Sequence, residues 1–217
     1  MGEGMPSFYP ADVSPQVSND QVVVKRLLHF AAGMEALAEH SLVDAQVSNL
    51  LTQMLGADPK PAIAMYETLN GARAEARALK AVGKETLSPG DNALLARIMT
   101  VCKTSSDHRD AIAHRLWMAD DQYPDAVVLV DPKSLWRMSS KVGEIKAKGP
   151  VTDASARSVQ DDIRAACQIW RMDDFDLAKR AASKAVISLI AFGEVLSLGD
   201  IPAASQKRSQ LDAHLST

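Results

Sequence analysis

Apolar side chains recur every three to four residues along most of this chain. From Val23 the series Leu27, Phe30, Met34, Leu37 and Ala38 follows a helical stripe, interrupted but not broken by Gly33. Ser18, Asn19 or Asp20 is placed to cap it. A second helix is predicted from about Val43, through Ala45, Val47, Leu50, Leu51, Met54 and Leu55, with Gly56 as its stop. Asp58, Pro59 and Pro61 open a third, which runs to Gly83 with a kink at Asn70-Gly71. Ser88-Pro89-Gly90-Asp91 predicts a turn and a cap. The fourth helix then runs from about Asn92 to Leu116, carrying Leu94, Leu95, Ile98, Met99, Cys102 and Ile112.

The pattern changes after Trp117. Asp120, Asp121 and Pro124 predict a polar loop, and the β-branched run 126–130, closed by Asp131-Pro132, predicts a strand. Residues 141–149 alternate loosely enough to predict a second strand pairing with the first, so a β insert covers about 125–148. Thr152, Asp153 and Ser155 cap a long helical region that reaches about Leu198, with an interruption at the polar stretch 171–176; Gly199 and Pro202 end it. The expected fold class is all-α: an up-and-down bundle with a small antiparallel β insert. It forms one domain over 18–200, between a flexible arm at 1–17 and a flexible tail at 201–217.

Composition narrows this picture. A chain of 217 residues suits one domain, and 5 % aromatic content means a core built from Leu, Val, Ile, Met and Ala. The net charge of −3 argues against a nonspecific grip on nucleic acid, so any such role needs a local basic patch or a second copy of the chain. The first twenty residues lack the basic and apolar regions of a signal peptide. The best apolar stretch, 185–198, falls short of the roughly 20 residues that cross a membrane and contains Glu194. The expectation is a soluble, cytoplasmic protein with no membrane partner. Cys102 and Cys167 read as buried structural thiols within helical patterns and make no zinc pattern.

One stretch carries candidate chemistry: His-Arg-Asp-Ala-Ile-Ala-His-Arg-Leu-Trp at 108–117. Asp110 lies four residues before His114, on the same helical face, and can accept a hydrogen bond from the imidazole. The helix C-terminus also favours the imidazolium. Arg109 has the planar fork that suits a phosphate. Five positions on a helix turn about 140° beyond a full revolution, so Arg109 and His114 are expected not to meet within one chain.

Arg-x4-His near the end of a bundle helix resembles the signature of the HEPN superfamily (higher eukaryotes and prokaryotes nucleotide-binding). The surroundings are similar to a bacterial subset of HEPN-like proteins: Ile112-Ala113-His114, Trp117, Pro124-Asp125 and the hydrophobic run closed by Asp131-Pro132. The resemblance implies a helical bundle that forms a homodimer and brings two copies of the motif into one cleft. Many members cut RNA without a metal. In the implied chemistry His114 handles the 2′-hydroxyl or leaving-group proton and Arg109 stabilises the phosphorane charge, with Asp110, Arg115 and Trp117 in support. No metal and no cofactor is expected. RNA and a cognate antitoxin-type protein are the further partners this reading implies. Two positions depart from the family pattern. Asp110 stands where Asn is frequent, and Arg115 where Gly is common. The competing class is a noncatalytic helical interaction or regulatory protein, in which the motif serves packing or dimerisation.

Other candidates read as structure. His29 fits a packing role. His108 adjoins the motif on a neighbouring face. The Asp pairs at 120–121, 161–162 and 173–174 fit solvated faces and caps, and Arg73, Arg77 and Lys80 a solvent-facing strip. Lys141, Lys146 and Lys148 are the basic group nearest the motif in sequence. They would guide RNA or keep an exposed strand edge from pairing. Trp117 either stacks on a base or closes the helix end as core.

Overall fold

Helix caps and turns set the order of elements. In the computed structural model, residues 6–9, 15–18, 22–56, 58–69, 71–199 and 201–216 are described. Readings that fall on Asn19, Asp20, Asn70, the side chain of Arg73, or most of the first fourteen residues lie outside them. In chain order the elements are β1 (Ser7–Phe8), β2 (Val17–Ser18), α1 (Val22–Lys25), α2 (Leu27–Leu55), α3 (Pro59–Glu67), α4 (Ala72–Thr86) and α5 (Pro89–His114). There follow β3 (Leu116–Asp120), β4 (Val127–Val130), α6 (Pro132–Lys148), α7 (Asp153–Ala166), β5 (Cys167–Trp170), α8 (Met172–Leu198) and α9 (Pro202–Ser216). The protein is mainly helical with a small antiparallel sheet, as the pattern predicts.

The chain divides into two compact units. One comprises residues 1–36 and 109–177, the other residues 37–108 and 178–217. The second is helical. Its core gathers Val43, Val47, Leu50 and Leu51 of α2, Leu79 of α4, Leu95 and Ile98 of α5, Leu189 and Phe192 of α8, and Leu211 of α9. The first holds the sheet, in the order β1-β5-β4-β3-β2, with antiparallel pairing throughout. All four residues of β4 are buried, which is why it reads as a continuous apolar run rather than an alternation.

Several expectations are corrected. The two helices predicted on either side of residue 42 are one, because nothing in His40-Ser41-Leu42 stops the turn. The third helix is two, α3 ending at Glu67 and α4 starting at Ala72: Gly71 caps α4 with φ of 84°, a conformation open to glycine and costly for other residues. Residues 141–149 are not a strand but the end of α6 and its cap. Asp131 accepts from the N–H groups of Lys133 and Ser134, and Pro132 fills the first turn, where its missing N–H costs nothing. Of the expected insert 125–148, only β4 is strand. Its neighbours are β3, expected as helix end and loop, and β5, expected inside a helix; Cys167 is therefore a strand residue.

The ends also differ from the arm and tail expected. β1 and β2 extend the sheet at its two edges. Asp120, buried, accepts from the Tyr9 hydroxyl at 2.7 Å and from the N–H groups of Gln16 and Gln122 at 2.9 Å each. Three donors balance the cost of burying this carboxylate. At the other end, α9 buries Ala204 and Leu211. Helix α8 is long and apolar enough to cross a membrane by length and composition, contrary to the expectation that no segment is. In this structure its Ala182, Ala185, Leu189 and Phe192 lie in the core of the helical unit.

Candidate functional site

Helix α5 stops at His114, and the chain turns through Arg115 into β3. The last carbonyls of a helix have no partner within it. One of them, on Ile112, accepts from the indole N–H of Trp117 at 2.9 Å. The Trp117 ring is fixed in turn, stacked on Phe175 with centroids 5.6 Å apart and edge-on to Phe30 at 5.6 Å. Helix α2 meets it at Gly33, where a Cβ would stand 2.5 Å from Trp117 Cη2. Glycine at this position is a requirement of packing rather than a flaw in the stripe. Trp117 is thus part of the framework that ends α5, not a free platform for a base.

Three predicted site residues converge on the last turns of α5. Arg109 Nη1 donates to Asp110 Oδ1 at 2.8 Å, and His114 Nε2 stands 3.9 Å from the same oxygen. Arg109 Nη1 and His114 Nε2 are 3.4 Å apart. The expectation that these two cannot meet within one chain is overturned. The 140° separation holds for backbone positions, but the long arginine side chain spans it. A guanidinium has no acceptor, so this contact is a hydrogen bond only while His114 Nε2 is bare. With the hydrogen on Nε2 instead, two donors face each other, and the nearby acceptor for the ring is the Asp110 carboxylate.

The cluster is open to solvent. The His114 side chain is 69 % exposed, Asp110 60 % and Arg109 33 %. An exposed ion pair such as Arg109–Asp110 contributes only about 0–1 kcal/mol, so a phosphate can displace the carboxylate from the guanidinium. Chemically, the turn offers a proton-accepting nitrogen beside a permanent cation, with a carboxylate in reach of both.

Arg115 does not join them. It is half-buried, and the carboxylate that attracts it is Asp131, just past the end of β4; burial pulls its pKa below the ordinary arginine value. His108 is buried. His29 is also buried and structural: its ring N–H donates to the Asp125 carbonyl at 2.8 Å, while Arg26 Nε donates to the Ala126 carbonyl at 2.8 Å.

Other groups carry less chemistry. Burial pushes the Cys102 thiol up to about 12 and the Cys167 thiol up to about 11, so neither is a ready nucleophile. Within the helical unit, His40 Nδ1 and Ser105 Oγ are 2.7 Å apart and His40 Nε2 stands 3.6 Å from Asp44, but Ser105 and His40 are both buried and the hydroxyl is shielded from any substrate. A groove of about 550 Å³ in the same unit, floored by Leu50 and Leu189, holds none of the predicted site residues. Among the described residues no three His, Cys, Asp or Glu side chains gather as a metal site requires.

One further residue, not among those the sequence pattern predicts, stands out on the sheet unit. Trp136, on α6, is 79 % exposed. Its signal was its place among Lys133, Arg137 and Ser140 on one face of a helix, visible only once that segment is known to be helical. Comparison with family models, with curated proteins and with solved structures finds no match to this chain.

Proposed function

We propose that this chain is a HEPN-like protein that cuts RNA without a metal, using Arg109 and His114. The observation that carries the reading is the exposed contact between Arg109 Nη1 and His114 Nε2 at 3.4 Å, a span one phosphodiester can bridge. In the proposed reaction His114 Nε2 takes the proton of the 2′-hydroxyl, which attacks the adjacent phosphorus. Arg109 holds the non-bridging oxygens as negative charge builds on them. The 5′-oxygen leaves with a proton taken from solvent, the other product ends in a 2′,3′-cyclic phosphate, and His114 returns its proton to solvent. No metal enters these steps.

A homodimer with two such pairs in one cleft is part of the proposal and rests on the resemblance of residues 90–135 to the HEPN motif. Since the pair meets within one chain, the second copy is needed to shape the cleft, not to join arginine to histidine. An antitoxin-type protein that covers the cleft belongs to the same reading.

One observation favours a noncatalytic alternative. Asp110 already occupies Arg109 and adds negative charge where a phosphate would sit. On that reading the cluster is a docking feature of an interaction protein. The two readings separate in an RNA cleavage assay in EDTA, with wild type beside His114→Ala. Cleavage lost in the variant supports the enzyme. Equal behaviour of the two leaves the interaction protein.

A further inference from the structure

Helix α6 has two unlike faces. Its inner side carries Leu135, Met138, Val142 and Ile145; Met138 is buried and Leu135 packs on the core of the sheet unit. Lys141 ties α6 to α7, donating to Asp162 at 2.6 Å and to Ser158 Oγ at 2.7 Å. On the outer side Lys133, Trp136, Arg137 and Ser140 fall within about 100° of arc. Further along the helix Glu144 falls on this same side and Lys148 at its margin, while Lys146 lies off it. Lys133, Arg137, Lys146 and Lys148 are exposed and make no ion pair with a described residue. In a chain of net charge −3 this is a local excess of cations around a nearly bare indole.

Sheet register ties this face to the Arg109–His114 pair. Leu116 of β3 stands opposite Val130 of β4. His114 and Pro132, each two residues beyond that pairing, therefore lie at the same end of the sheet. Arg115 and Asp131, the cap of α6, attract each other across that end. The first turns of α6, with Lys133, Trp136 and Arg137, leave from beside the end of α5.

We propose that the outer face of α6 is a track for single-stranded RNA, with Trp136 stacked on a base and Lys133 and Arg137 on the flanking phosphates. This deepens the ribonuclease reading and rests on it for the identity of the strand. Stacking on an aromatic ring between cations is how single strands are held without regard to sequence. A lipid surface fits less well. A helix lying in a membrane interface turns an apolar face outward, and the apolar face of α6 is turned inward, leaving one Trp outside.

The test is fluorescence anisotropy of an end-labelled oligouridine at low salt, with His114→Ala as the parent protein so that the strand stays intact. Trp136→Ala should weaken binding about tenfold, and Trp136→Phe should restore most of it. Lys133→Glu with Arg137→Glu should weaken binding further and flatten its salt dependence. Trp136 is exposed, so the circular dichroism of these variants should match the parent. The proposal is overturned if the parent does not bind the strand. It is also overturned if Trp136→Ala binds as the parent does, if duplex RNA binds as tightly as the single strand, or if phosphatidylserine vesicles are bound and RNA is not. Cleavage by the wild type that persists in Trp136→Ala at unchanged KM would refute the track while leaving the enzyme. Oligouridine binding with no cleavage by the wild type would do the reverse.

Discussion

Arg109 Nη1 lies 3.4 Å from His114 Nε2, although the two residues are five apart on one helix. Asp110 holds the guanidinium between them at 2.8 Å. The carboxylate thus both positions Arg109 and competes with any phosphate for it. Asp110→Asn removes the competing charge and keeps the hydrogen-bonding oxygen. The expected result is RNA affinity raised severalfold, read by anisotropy in the His114→Ala protein. A fall in affinity would mean that Asp110 serves mainly to orient Arg109.

Gly33 leaves no room for a side chain beside Trp117 in the framework behind the site. Gly33→Val forces side-chain carbons into the indole, which Phe30 and Phe175 hold in place. Overpacking of this kind costs about 1–3 kcal/mol. The melting temperature should fall by several degrees, with the loss seen in near-ultraviolet dichroism, where Trp117 reports directly.

Asp120 fastens the N-terminal segment to the sheet through Tyr9 and Gln16. Hydrogen bonds to a charged group contribute about 1.5–3 kcal/mol each. Asp120→Ala should free residues 7–9 and 15–18, seen as faster amide hydrogen exchange there than in wild type. Unchanged exchange in β1 and β2 would show that strand pairing alone retains the segment.

The helical unit carries a pH-dependent clasp. Arg208 Nε donates to Asp91 Oδ1 at 2.7 Å, and Asp91 is buried. Hydrogen bonding from Arg208, with help from Ser88, holds the Asp91 carboxyl below its usual range despite the opposing effect of burial. A carboxyl whose folded value is depressed adds stability that is full above its unfolded value, about 3.9, and is lost as pH falls through the folded value. Asp91→Asn should therefore melt below wild type at neutral pH, and the gap should close in acid. A gap that is constant with pH would assign the effect to shape rather than charge.

Much of this architecture was legible in the sequence. The stripes of α2, α5 and α8 are long, and a long 3.6-residue period has no competing explanation. The strands were harder to read. β5 has four buried residues wedged between two helices without glycine or proline to mark it, and a short apolar run fits a buried helix as well as a strand. In α6, Leu135, Met138, Val142 and Ile145 keep helical spacing behind an Asp-Pro cap, but Val142, Glu144 and Lys146 taken alone mimic alternation. At the candidate site, Arg109, Asp110 and His114 could be named from the motif. Their contact could not, because a helical wheel places Cα atoms and says nothing of how far an arginine reaches. Trp136 stands out only once residues 132–148 are one helix, because the β insert expected over 125–148 gives it no face.

The central claim is that His114 and Arg109 cut RNA through its 2′-hydroxyl. The most direct measurement is the end chemistry of the fragments from a labelled RNA incubated with the protein in EDTA, beside the same RNA carrying one 2′-deoxy substitution at the cleaved position. Wild type should yield a 2′,3′-cyclic phosphate with no cut at the deoxy position, and neither His114→Ala nor Arg109→Ala should give product. Cleavage by His114→Ala at the wild-type rate, or cleavage at the deoxy position, would contradict that claim.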